Sequence, residues 1–307
     1  MKPHVSPSWT AWRDAALRQA TSVFPAIAEM TNMGVAPALR EATGRLASIS
    51  ATPRLDAELL LAHALEIDRN DLLMRQRDLS VPPAFELLLQ RRLTGEPIAY
   101  ITGVRDFWTM SLHVTPDVLI PRPDSETLIE AAIGHFGARS PARILDLGTG
   151  SGALLLAALS QWPQASGVGI DISPAALAVA RSNADNLGLS PRADFRQGDW
   201  AEGMDGPFDL ILVNPPYIAR DVALSGDVLH EPESALFAGA EGLDDYRRIA
   251  PMLPRLLARD GMAAIEIGYD QRHSVSALLA DQGLSVAVRH DLAGHDRCLV
   301  ATLGRSA

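Results

Sequence analysis

Ile144-Leu145-Asp146-Leu147-Gly148-Thr149-Gly150-Ser151-Gly152-Ala153 passes from an apolar run into a glycine-rich turn and on into a helical apolar pattern. Glycines at 148, 150 and 152 permit a tight turn and let backbone N–H groups approach a bound molecule, as in a nucleotide cradle at the end of a strand. The next β-like run ends at Asp171, 23 residues after Gly148, where a carboxylate can accept from both hydroxyls of a ribose. Taken alone this pair also fits dinucleotide-binding enzymes, whose relaxed third position Ala153 satisfies.

Outward from this stretch the pattern alternates. After Pro121, β-like runs at Arg143–Leu147, 167–171, Ala193–Gln197, 209–214, 263–267, 284–289 and 298–303 are separated by helical segments such as Ala153–Gln161 and 174–187. Such alternation predicts an α/β fold with a largely parallel, doubly wound sheet, its ligand at the carboxyl ends of the strands. Upstream, Leu55, Leu59, Ala62 and Leu65, then Phe85, Leu88, Leu89 and Leu93, recur at helical spacing between breakers at Pro53, Asn70 and Pro82-Pro83. These predict a small helical bundle. From Tyr100 to Ile120 apolar residues sit among Gly and Pro, which predicts a β-hairpin connector.

The fourth predicted strand runs into Asn214-Pro215-Pro216-Tyr217. An amide or aromatic amine nitrogen is a poor nucleophile because its lone pair is delocalised, so most of its activation must come from aim. The Asn214 side-chain oxygen and the Pro215 carbonyl can each accept one N–H of an –NH2 group, favouring a pyramidal nitrogen. Proline fixes φ and removes a competing donor, while Tyr217 offers an aromatic wall.

Composition narrows the class. No apolar run approaches the roughly 18 residues of a membrane span, and the lone Cys298, predicted to be buried packing, excludes an intrachain disulfide and fits a reducing cytoplasm. The chain holds 27 basic and 37 acidic residues, net −10. Residues 1–120 carry 12 and 13 of these, and residues 121–307 carry 15 and 24, which argues against nucleic acid as the main partner. The histidines are scattered, and no metal site is expected.

The cradle, Asp171 and the Asn-Pro-Pro-Tyr loop together resemble class I S-adenosylmethionine-dependent methyltransferases acting on planar nitrogens. Arg91 to Gly103 (RRLTGEPIAYITG), Asp106-Phe107-Trp108, Pro121 to Glu126 (PRPDSE), Glu231-Pro232, Tyr246-Arg247 and Glu266-Ile267-Gly268 with Gln271 narrow the likeness. They resemble the release factor glutamine methyltransferase family, PrmC or HemK, over about residues 38–303. The resemblance implies a Rossmann-like methyltransferase domain at 121–307, a hairpin connector at 100–120 and a helical substrate-recognition domain at 37–99. Residues 1–36 then form an extension outside the match, with Met33 a plausible alternative start and Trp9 to Met30 a weakly amphipathic stretch. It implies methylation of the glutamine amide in the Gly-Gly-Gln loop of peptide chain release factors. Gly148, Thr149, Gly150, Ser151, Gly152, Asp171, Trp200 and Asn214 would hold S-adenosyl-L-methionine. Asn214, Pro215, Pro216, Tyr217 and Phe107 would hold the glutamine, with Asn214, Pro215 and Tyr217 catalytic.

Other readings stand beside these. Phe107-Trp108 also suits hairpin packing, and Trp200 a buried sheet-edge aromatic. Asp124 or Ser125 suits a helix cap with Glu126 at the positive end, and Glu266 suits a structural role. A nucleic-acid amino methyltransferase would use the same Asn-Pro-Pro-aromatic loop. The release factor reading expects a cytoplasmic monomer with no direct nucleic-acid or membrane partner.

Overall fold

Strand β3 (Arg143–Leu147) shows how the sheet is built. Its Ile144 points into one hydrophobic cluster, and Leu145 and Leu147 point into another on the opposite face. The same alternation runs through β6 (Phe208–Val213): Leu210 and Leu212 join the first cluster, Ile211 and Val213 the second. A strand buried on both faces is apolar at nearly every position, which is why these segments read as continuous runs. The protein, seen here in a computed structural model, is described over residues 25–224 and 226–304.

It divides into two units: among the described residues, 25–103 with 226–230, and 104–224 with 231–304. The first is helical: α1 (Pro25–Thr31), α2 (Val35–Leu46), α3 (Pro53–Ala64), α4 (Arg69–Arg75), α5 (Ala84–Leu93) and α6 (Ile98–Thr102). Their apolar faces, with Leu39, Leu60, Phe85 and Leu88 fully buried, form one core. Two ion pairs are sunk into this unit, Arg92 with Asp56 at 2.9 Å and Arg45 with Glu86 at 2.8 Å.

The helical packing extends upstream of residue 37, where the resemblance is expected to begin. Met30 in α1 is 2% exposed and Val35 1%, both within the helical core. Residues 1–24 lie outside the described residues; of the stretch from Trp9 to Met30, the part from Pro25 is helical. Removing a buried methionine typically costs about 2–5 kcal/mol. Deleting residues 1–32 should therefore lower the melting temperature by several degrees in a thermal melt, and an unchanged melt would show that α1 contributes nothing.

The second unit opens with a hairpin, β1 (Val104–Phe107) and β2 (Met110–His113), turned at Trp108, which takes φ +55°. Residues 100–102 of the expected connector belong instead to α6, which Gly103 ends at φ +74°. The sheet follows with α7 (Glu126–Phe136), α8 (Ala153–Gln161), β4 (Ser166–Asp171), α9 (Pro174–Asn186) and β5 (Ala193–Gln197). After β6 come α10 (Asp244–Ile249), α11 (Leu253–Leu256), β7 (Leu257–Glu266), α12 (Arg272–Ala280), β8 (Leu284–His290) and β9 (Asp296–Leu303). The seven strands lie in the order β5-β4-β3-β6-β7-β9-β8. The first five are parallel, and β9 runs antiparallel to both of its neighbours. Helices α7, α8 and α9 cover one face, and α10, α11 and α12 the other.

Candidate functional site

The chain reverses its direction of travel across the sheet between β3 and β6, and ligands of open α/β sheets bind at such a switch point. Pairing of Leu147 with Ile170 on one side and Val213 on the other sets Gly148, Asp171 and Asn214 next to one another at the strand ends. A cavity of about 450 Å³ opens there. Residues Gly148 to Ser151, Asp171, Trp200, Asn214, Pro216 and Phe107 line it, whereas Gly152, Pro215 and Tyr217 do not.

The cradle is held from three sides. Gly148 and Thr149 donate their N–H groups to the Ile170 carbonyl, both at 2.9 Å. The Asp171 carboxylate accepts from the Gly150 N–H at 2.8 Å and the Ser173 N–H at 2.9 Å. Asn183 in α9, 1% exposed, donates to the Ser151 carbonyl at 2.9 Å and exchanges hydrogen bonds with the backbone of His113. Gly148 takes φ +72°, and a Cβ there would stand 3.2 Å from the Trp200 ring. The position thus needs glycine both for its conformation and for the flat aromatic above it. Trp200 itself has φ +51°, and its indole N–H donates to Asp245 at 3.2 Å. Burial pushes the Asp245 carboxyl up, against that hydrogen bond and the nearby Arg248.

Asn214 follows the last residue of β6. Its side-chain N–H donates to the Ser125 hydroxyl at 3.1 Å, and Ser125 in turn donates to Glu266, the last residue of β7. Tyr217 donates its hydroxyl to the other oxygen of Glu266 at 3.3 Å, and Tyr246 donates to the Glu266 backbone carbonyl at 2.8 Å. Ser125 therefore does not cap α7 with its side chain, as the sequence suggested, and Asp124 lies 3.5 Å from Arg297. Glu126 accepts from the Trp108 backbone N–H at 2.8 Å. The loop is braced from behind by Gln271, which donates to the Tyr217 carbonyl at 2.9 Å. Phe107 is 2% exposed and serves both readings, hairpin packing and cavity wall.

Two carboxyls at the site are fully buried. Desolvation pushes Asp146, which accepts from the Thr149 hydroxyl at 2.6 Å, up to about 7, and Glu266 likewise to about 7. Across roughly pH 4–7 the folded protein holds at Asp146 a proton that the unfolded chain has released, so this group's contribution to stability falls as pH rises through that window. His63, lowered to about 4 by burial, has the opposite slope below its ordinary value, so the test is a difference. Asp146→Asn should gain unfolding free energy relative to the parent as pH rises from 5 to 8 in denaturant titrations. A pH-independent difference would mean that Asp146 is ionised throughout.

Asp117, Asp171, Asp199 and Asp245 all line the cavity, against Arg248. Sequence reasoning assigned no role to Asp146, Asn183 or Asp245, gave Ser125 only a capping role, and left Glu266 as structural. Their partners lie between 3 and 141 residues away along the chain.

Comparison with known proteins bears on the family of the chain. The PrmC N-terminal domain family matches residues 37–103, and a methyltransferase domain family matches residues 138–264. The release factor glutamine methyltransferase of Rhodospirillum rubrum is 46% identical over 256 residues, covering 81% of this chain and 78% of the relative. That of Vibrio cholerae is 45% identical over 277 residues, covering 87% and 95%. Among solved structures, the hMettl16 catalytic domain in complex with MAT2A 3'UTR hairpin 6 superposes with a TM-score of 0.53 at 15% identity, covering 68% of this chain and 81% of that one. That likeness speaks to the class I methyltransferase fold alone. The sequence relatives span both units at more than two-fifths identity, and on that footing the chain belongs to the release factor glutamine methyltransferase family.

Proposed function

We propose that the protein transfers a methyl group from S-adenosyl-L-methionine to the side-chain amide nitrogen of the glutamine in the Gly-Gly-Gln loop of peptide chain release factors. The observation that carries this reading is Asn214, held beside the glycine cradle with its N–H turned to Ser125. Its carbonyl oxygen is then the end left to accept from a substrate –NH2, and the Pro215 carbonyl supplies the second acceptor. Two acceptors on one amide nitrogen draw its hydrogens aside and aim its lone pair, so geometry supplies most of the rate.

The cradle fits the methyl donor. Gly148, at φ +72°, lies close beneath the Trp200 ring, and the walls hold four carboxylates to one guanidinium. The donor supplies an electrophilic methyl on a positively charged sulfur. The backbone of Gly148 to Gly152, the Asp171 carboxylate and the Trp200 face would bind it, and Phe107 with Pro216 and Tyr217 would enclose the glutamine side chain. Release factor is the partner in this reading, and the protein works as a cytoplasmic monomer without direct contact to nucleic acid. Mass spectrometry of purified release factors incubated with protein and methyl donor tests it. One added methyl on the Gly-Gly-Gln glutamine is expected, and methylation confined to nucleic acid would overturn it.

A further inference from the structure

We infer that Ser125 and Glu266 are positioning residues that fix which end of the Asn214 amide faces the reacting nitrogen. This rests on the role proposed above for Asn214. The argument is one of proton direction. An ionised carboxylate only accepts hydrogen bonds, so Glu266 obliges both Ser125 and Tyr217 to donate to it. With its proton committed, the Ser125 oxygen has only lone pairs to offer Asn214, and the –NH2 end alone can meet them. Rotating the amide by half a turn would set oxygen against oxygen with no proton between. The Asn214 oxygen is thereby left as the acceptor.

Burial makes the arrangement stiff. Ser125 is 3% exposed and Glu266 1%. The Glu266 backbone carbonyl is held by Tyr246, so the carboxylate cannot drift along the strand. Within this chain of bonds Asn214 is the member whose amide meets the reacting nitrogen, and Ser125 and Glu266 act through it.

Protonation of Glu266 undoes the logic. A neutral carboxyl can donate to Ser125, which frees the serine proton to turn toward Asn214 and removes the reason for one orientation. The groups facing Glu266 are Ser125 and Asp124 ahead of α7, Tyr217 after β6, Tyr246 in α10, and Arg297 and Cys298 in β9. Arg297, Ser125 and Tyr217 favour the ionised form, while burial and Asp124 oppose it.

The test uses full-length protein with purified release factor and methyl donor. Ser125→Ala should lower kcat by about 10- to 100-fold, the scale of a slightly misplaced reacting group, with donor affinity close to the parent's and a melting temperature lowered by a few degrees because Glu266 loses a buried partner. Ser125→Thr, which keeps the hydroxyl, should restore most of the rate. Because Ser125 acts through Asn214, Ser125→Ala should cost nothing further in an Asn214→Ala background. For the parent, kcat should fall as pH drops through about 7, and Glu266→Gln should be slow at every pH and lack that limb. If Ser125→Ala turns over like the parent, if threonine fails to restore activity, or if the two alanine variants are additive, the inference falls while the proposed function stands. Absence of any methylation by the parent protein brings down both.

Discussion

Asn214→Ala should lose release factor methylation by a factor of about 10² to 10³, the usual consequence of deleting one preorganised polar group at a reacting centre. The methyl donor should still bind with little change, because the cradle is held by Ile170, Asp171 and Asn183, and none of these bonds involves the Asn214 side chain. The fold should survive too. Ser125 keeps its bond to Glu266, and Glu266 keeps Tyr217. Steady-state rates on release factor with donor calorimetry on the same preparation separate these effects. Wild-type turnover by the variant would remove Asn214 from the mechanism.

Asp171→Ala should act on binding, raising the dissociation constant of S-adenosyl-L-methionine by about 10- to 100-fold, as expected for losing charge-assisted hydrogen bonds worth about 1.5–3 kcal/mol. Interactions made equally in ground and transition states mostly change KM, so kcat at saturating donor should move less. From sequence, Asp171→Asn looks milder, since one acceptor remains. The structure argues otherwise, because the two carboxylate oxygens accept from different backbone N–H groups, Gly150 and Ser173. An amide has an –NH2 in place of one oxygen, which would face one of those donors without being able to accept. Calorimetry should therefore find asparagine nearly as damaging as alanine. Unchanged donor affinity in the alanine variant would show that Asp171 does not bind the ribose.

What could be seen in advance follows physical rules of short range. Strands such as Arg143–Leu147 and Ala193–Gln197, and the helix Ala153–Gln161, are legible because local apolar pattern and flanking Gly or Pro coincide with their ends. Strand β7 is not. Expected from Ala263, it begins at Leu257, because Arg259-Asp260-Gly261 is polar and breaks the pattern, although Gly261 lies so close to β6 that a Cβ would stand 2.7 Å from the Asp209 carbonyl. The cradle, Asp171 and the Asn-Pro-Pro-Tyr loop were legible because each is compact in sequence. The Ser125 to Glu266 bond was not, since it joins residues 141 apart and each alone has an ordinary explanation. Met30 was hidden for a related reason. A helix of seven residues carries too little periodicity to mark a boundary.

The place of β9 in the sheet bears on how the protein is made. It is the last strand among the described residues, yet it lies inside the sheet, joining β7 to β8 by antiparallel pairing on both sides. During synthesis β7 emerges with one edge open, and β8, made next, has no direct partner until β9 arrives. A long apolar strand with a free edge is a template for pairing with other chains. A nascent chain halted before Asp296 is therefore a clientele for chaperones or proteases, displaying a raw β7 edge with Glu266 at its end. Premature termination ahead of β9 would then register as a defect of protein quality control, long before it could register as a slower enzyme.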